Sequence, residues 1–274
     1  MPKGRKQYRY HPEWRKQRDA DKFQHIIEFG EALPSIRKTI EQHLKLPGLP
    51  REKVLAVVVM LLEKTSIRVG NAEYARDNKS FGLTTLHSKH VEVDKNTIRF
   101  RFKGKSGKFW NLKISDARIA KVIRQCSDLD GQELFTYVDE QGNSRDVSSN
   151  DVNVYLKEIT QEDFTAKDFR TWTGTVFAAM ALQEFEKYDS EAQAKKNIIA
   201  AIESVSKKLG NTPAICRKCY IHPHILNAYL DGSLIKNITK AINESLRSKF
   251  EVLSDEEILV LLFLKRRMQS VATS

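Results

Sequence analysis

The stretch KHVEVDKNTIRFRFKGKSGKFWNLKIS, residues 89–115, is the one run of strand character in a chain that otherwise reads as helix. Ile98, Phe100 and Phe102 alternate with Arg99 and Arg101, which puts apolar side chains on one face of a strand and cations on the other. His90–Asp94 precedes that strand across a tight turn at Lys95-Asn96, and Phe109–Ile114 follows it across the glycine-bearing stretch 103–108. The expectation is a three-stranded antiparallel meander at about 89–115, with Lys105 near the tip of its second hairpin. One small sheet in a helical body makes the fold class mostly α (α+β).

Working outward, the segment from Arg51 to Ile67 is apolar on nearly every face and reads as a central core helix ending at Arg68. Upstream, a helical pattern begins near Asp21 and is expected to break at Pro34, with a second helix to about Leu46 and a loop at Pro47-Gly48-Leu49-Pro50. Downstream, Ser115 is expected to cap a helix to about Cys126, and Ser148 or Ser149 the next. Residues 131–139 read as a short extended or turn-rich piece. Thr165 and Asp168 fit a capping box, opening a helix that carries Arg170 on its first turns. A helix from Ser190 to Leu209 is stopped by Gly210, and Thr212-Pro213 opens another, with Pro223 expected to end it and leave Tyr220 on its last turn. Ser254 with Glu257 opens a final helix. In domain terms, residues 1–24 form a basic N-terminal segment and 25–274 one folded domain.

The chain has 274 residues and a formal charge of 46 − 35 = +11, which favours a polyanionic partner. Residues 1–24 hold eight Lys/Arg against three Asp/Glu, interleaved with Tyr8, Tyr10, His11 and Trp14, as expected of a phosphate-contacting strap. The longest apolar run, Val54–Leu62, is nine residues, far short of the ~20 a membrane span needs. No apolar region of a secretory signal stands at the N-terminus. Three cysteines are too few for a disulfide framework and point to a reducing cytoplasm.

Several local motifs point to chemistry. Gly104-Lys105-Ser106 has the look of a P-loop end, but Arg99 stands where the earlier glycine is required and the segment lies between strands, so nucleotide binding is rejected. Cys216, Cys219, His222 and His224 are zinc-ligand types, yet they crowd into nine residues of partly helical sequence, and ordinary helix-face cysteines are the better reading. Tyr220 is the informative residue. With Arg68, Lys105 and Arg170 it supplies a phenol, two guanidiniums and an ammonium, the equipment for metal-free attack on a phosphodiester.

In order and context, this set resembles the active site of type IB DNA topoisomerases, above all the compact bacterial and poxvirus-like enzymes. The resemblance spans nearly the whole chain. It rests on Arg68-Val69-Gly70-Asn71, Tyr74, residues 81–86 (FGLTTL), Gly104-Lys105, residues 167–172 (KDFRTW) and Asn211-Thr212-Pro213 with Tyr220. It implies the catalytic-domain fold shared with tyrosine recombinases, with Tyr220 as nucleophile assisted by Arg68, Lys105, Arg170 and Asn211. The implied activity is relaxation of supercoiled duplex DNA through a 3′-phosphotyrosyl intermediate, without ATP, metal or other cofactor. Asn211 stands where poxvirus-like and eukaryotic members have histidine; an amide can donate to a phosphate oxygen but cannot shuttle a proton. The resemblance further implies a bacterial, cytoplasmic, nucleoid-associated monomer with no membrane partner, whose chain lacks the small N-terminal domain usual in these enzymes.

Two other readings differ in what they require. A tyrosine recombinase usually has histidine three residues before the second arginine, where this chain has Lys167. A non-catalytic DNA-binding module would explain the charge but not the ordered set of catalytic residue types.

Overall fold

The structure, a computed structural model, describes residues 12–129, 131–185, 188–234, 247–248 and 250–272. A first long helix, α1 (Pro12–His43), lies across α2 (Arg51–Thr65), and residues 53–62 of α2 are all buried. The body is completed by α4 (Ala117–Ser127), α5 (Ser149–Thr160), α6 (Ala166–Glu184), α7 (Glu191–Leu209) and a last helix, α10 (Asp255–Ala272), with the short helices α3 (Ala72–Asn78), α8 (Pro213–Cys219) and α9 (Pro223–Leu230) at its edges. Packed on this body is an antiparallel meander of β1 (Val91–Asp94), β2 (Thr97–Lys103) and β3 (Phe109–Ser115). Its register pairs Val91 with Phe100 and Phe102 with Trp110. Ile98, Phe100 and Phe102 face the core, as their alternation requires. No helix among the described residues is long and apolar enough to cross a membrane.

Four local expectations are corrected. α1 runs through Pro34 without a break. Ile26, Phe29, Leu33, Ile36 and Ile40 are buried along one face of α1 against α2, α5 and α6, and that burial offsets the roughly 3 kcal/mol a helix-interior proline costs. The helix also begins at Pro12, so residues 12–24 of the strap expected at 1–24 belong to it, while residues 1–11 fall outside the described residues. The cap of α4 is Asp116, whose carboxylate accepts from the Arg118 and Ile119 N–H groups; Ser115 is the last residue of β3. The turn-rich piece at 131–139 continues into a second hairpin, β4 (Thr136–Val138) with β5 (Ser144–Asp146).

Other signals resolve as read. Ser148 caps α5, Ser190 caps α7, Gly210 ends α7 in the left-handed region at φ 63°, and Thr212 caps α8 with Pro213 at its first position. Asp168 accepts from the Thr165 N–H at 2.8 Å, and Ser254 with Glu257 opens α10. Tyr220 departs from its reading: α8 ends at Cys219, so Tyr220 is its cap and not part of its last turn, and Pro223 opens α9 where it was expected to end α8.

Candidate active site

Arg68 lies on an extended segment just past α2, which ends at Ser66 in a left-handed turn at φ 55°. That segment is clamped by the residues 81–86 turn: Leu83 N–H donates to the Arg68 carbonyl at 2.9 Å, and Thr84 N–H to the Val69 carbonyl at 2.7 Å. A methyl group on Gly82 would lie 2.6 Å from the Arg68 carbonyl oxygen, so glycine is required for this approach. The Arg68 guanidinium reaches across to the α7–α8 corner. There it donates to the Gly210 carbonyl at 3.2 Å and to the Asn211 side-chain oxygen. Since arginine only donates, the Asn211 Oδ1 must face it, which turns Nδ2 the other way. That nitrogen is buried and has no hydrogen-bond partner among the described residues.

Arg170, on the first turns of α6, is 3% exposed. Its terminal nitrogens donate to the Ser66 carbonyl and, at 2.6 Å, to the Leu209 carbonyl, tying the ends of α2 and α7 together. A guanidinium carries five N–H donors, so this clamp leaves several over, among them a buried Nε without a partner. The guanidinium carbon stands 5.2 Å from the centre of the Tyr220 ring. Burial, with the charge of Arg170 added, pulls the Arg68 pKa down to about 10; burial also lowers that of Arg170, with Tyr220 opposing the drop. Arg68 remains charged at neutral pH.

The backbone at Tyr220 is pressed onto α6. A methyl group on Gly174 would lie 2.4 Å from the Tyr220 carbonyl oxygen, and the His222 N–H donates to Thr175 Oγ1 at 3.1 Å. Arg170 and Gly174 are four residues apart and share one helix face, so the helix that carries the guanidinium also seats the phenol. Lys105 occupies a single 3-10 turn, Lys105–Gly107, at the hairpin tip between β2 and β3. It is exposed, and its ammonium has no described partner.

These side chains converge. Arg68, Lys105, Arg170 and Tyr220 line one open cleft of about 670 Å³, with Tyr74 and Lys167 also on its wall. Asn211 stands behind Arg68 and is joined to the cleft through it. No carboxylate or imidazole lines the cleft among the described residues. Cys216 is buried on α8, where burial pushes its thiol up, and no group of three or more His, Cys, Asp or Glu among the described residues is placed to hold a metal.

Sequence reasoning missed the residues that seat this chemistry. Gly174 was detectable as a glycine in the middle of a helix, usually a sign of close approach. Thr175, whose hydroxyl accepts from the His222 N–H, gave no signal beyond its place in the helix.

The family model described as "Eukaryotic DNA topoisomerase I, catalytic core" matches residues 11–249. Among curated relatives, the DNA topoisomerase 1B of Acanthamoeba polyphaga mimivirus is 33% identical over 234 residues, covering 83% of this chain and 70% of the relative. The DNA topoisomerase 1B of vaccinia virus (strain Copenhagen) is 23% identical over 240 residues, covering 87% of this chain and 73% of the relative. The DNA topoisomerase 1 of Mycosarcoma maydis is 25% identical over 188 residues, 62% of this chain and 18% of its own.

Proposed function

The chain belongs to the type IB DNA topoisomerase family, and from that premise we propose that Tyr220 is the nucleophile with which it opens one strand of duplex DNA. The supporting observation is the convergence of Tyr220, Arg68, Arg170 and Lys105 on a single cleft.

In this reading the scissile phosphate enters the cleft over Arg170 and Arg68. The Tyr220 phenol attacks phosphorus, a bond forms between its oxygen and the 3′-phosphate, and the phosphorus–O5′ bond breaks. Negative charge grows on the non-bridging oxygens as the five-coordinate species forms. In this reading the spare guanidinium donors and the unpartnered Asn211 Nδ2 meet that charge, and one such donor is worth about 3 kcal/mol. The Lys105 ammonium gives its proton to the departing 5′-oxygen. The phenolic proton passes to water, in keeping with a cleft wall that offers no carboxylate or imidazole. Because the phosphotyrosyl bond keeps the energy of the broken linkage, the 5′-hydroxyl reverses the step without ATP. Rotation of the free end between the two steps relaxes supercoils.

Asn211 and the three cysteines support a bacterial, cytoplasmic enzyme acting at the nucleoid, and we read it as a monomer, a state that sedimentation checks directly. The functional test is relaxation of supercoiled plasmid in EDTA without ATP, with denaturant-trapped covalent DNA scored on the same samples. Relaxation with a 3′-linked adduct is expected. Tyr220→Phe is expected to lower both by at least about 10⁴-fold while leaving DNA binding within a fewfold of the parent. An adduct that persists in Tyr220→Phe, or binding that falls in step with activity, would remove Tyr220 from the nucleophile role.

A further inference from the structure

We propose that Trp110 is a positioning residue for the reaction, the wedge that sets the Lys105 hairpin against the corner leading into Tyr220. This rests on the reading of Lys105 as the general acid.

The problem the wedge solves is visible in Lys105 itself. Its side chain is exposed and makes no described contact, so its place over the cleft depends on where the hairpin tip is held. Within the tip, Gly104 N–H donates to the Lys108 carbonyl at 2.7 Å, which closes the turn but ties it to nothing else. At the root of the hairpin, Phe81 N–H donates to the Lys103 carbonyl at 2.9 Å, a link to the Arg68 side of the cleft. Towards the Tyr220 side, Lys108 Nζ meets the Lys207 carbonyl at 3.5 Å, a long and exposed contact.

Trp110 makes the close one. Its ring stacks on Phe102 with planes 9° apart and centroids 6.2 Å apart, and Phe102 is 2% exposed, so the sheet core fixes the indole plane. A methyl group on Gly104 would lie 2.7 Å from the indole nitrogen; one on Gly210 would lie 2.8 Å from Cζ2, on the six-membered ring along the same edge. The indole therefore fills the gap between two glycines, one preceding Lys105 and the other preceding Asn211. Both positions lack a side chain where the ring presses in, and Gly210 also carries the left-handed turn that ends α7. Arg170 is held by the carbonyls of Ser66 and Leu209 and does not touch this ring, whereas Arg68 bonds the Gly210 carbonyl beside it. Loss of the indole should thus displace the acid and leave Arg170 in place, and any loss that runs through Arg68 will persist on a substrate that needs no acid.

The experiment is single-turnover cleavage of a duplex carrying a mapped cleavage site, made with either the ordinary phosphodiester or a 5′-bridging phosphorothiolate, whose thiolate leaves without a proton. Parent, Lys105→Ala, Trp110→Ala and Trp110→Phe are compared. Trp110→Ala is expected to slow cleavage of the ordinary linkage by about 10- to 100-fold, the cost of a misplaced group on the order of 1 Å. On the phosphorothiolate it should return to within about threefold of the parent, as should Lys105→Ala, because the acid is no longer needed. Trp110→Phe keeps the stack on Phe102 but loses the edge over Gly210, so it should be slowed less and rescued equally; it also carries the test if the alanine variant does not fold. Rescue of Lys105→Ala without rescue of either Trp110 variant would overturn the positioning role, as would undiminished cleavage of the ordinary linkage by Trp110→Ala. Failure to rescue Lys105→Ala would instead remove Lys105 as the acid, and this inference with it.

Discussion

Arg170 and Lys105 line the same cleft and are held in opposite ways. Arg170 is 3% exposed, rises from a helix packed in the core, and spends two of its donors on the carbonyls of Ser66 and Leu209. Lys105 is exposed at the end of a hairpin and spends none. A charge that must meet a developing oxyanion gains from being fixed before the substrate arrives, since no reorganisation is then needed. A proton donor that must follow a leaving group gains from reach, and a four-carbon stem on a turn has it. The body thus supplies pre-organisation, and the sheet supplies access.

The comparison breaks most sharply at Arg170. Arg170→Ala is expected to lower cleavage by about 10²–10³-fold. It should also destabilise the fold by about 2–5 kcal/mol, because two carbonyls lose a charged donor in a buried setting. Arg170→Lys should not restore either property, since a single ammonium cannot span both carbonyls. Thermal melts read beside cleavage rates check both halves; a variant with intact stability and lost activity would show that the clamp is not what holds α2 to α7.

Lys105→Ala sharpens the contrast from the hairpin side. Its cleavage loss should reach about 10²-fold, as expected for removal of a general acid. Stability should stay within about 0.5 kcal/mol, as for other exposed substitutions. A large drop in melting temperature would mean the tip is part of the packed structure after all.

Asn211→His asks how much the site needs the Nδ2 donor, since the Oδ1 already accepts from Arg68. Cleavage within about tenfold of the parent is expected, the size of one altered hydrogen bond. A flat loss comparable to Arg170→Ala would instead make the Asn211 oxygen's hold on Arg68 the contact that matters.

The smallest effect concerns acid. Arg37 bonds Glu257 through both nitrogens, at 2.9 and 2.7 Å, while Trp172, two residues beyond Arg170, donates to the same carboxylate at 3.0 Å. Burial raises the Glu257 pKa, but the Arg37 bonds and charge outweigh it and hold the carboxyl below its usual range. A depressed folded pKa means stability that is present above about pH 4.3 and lost as the pH falls through the folded value. Melting temperature measured from pH 7 downward should therefore fall more steeply in the parent than in Glu257→Gln. Parallel curves would show that this clasp between α6 and α10 carries no pH-linked stability.

Much of this was legible in the chain. The meander was readable because a strand's side-chain period is short and local, and its turns fall at Lys95-Asn96 and around Gly104. Gly210, Thr212 and Pro213 marked the corner before Tyr220 because helix ends are decided by a few neighbouring residues. Pro34 misled, since its local cost is outweighed by contacts that α1 makes with helices far along the chain. Ser115 misled because strand pairing with Thr97 claimed it and left the cap to Asp116.

By itself, then, the sequence determined which residue types the reaction has available, the helical body with one small sheet, and the family to which both belong. Only the tertiary structure decided how they stand. It turned the Asn211 amide by placing Arg68 against its oxygen, seated Tyr220 on Gly174, and wedged Trp110 between Gly104 and Gly210. All but the contact between Trp110 and Gly104 join residues tens of positions apart, and their sign depends on distances of a few tenths of an ångström between packed atoms, which no local pattern encodes.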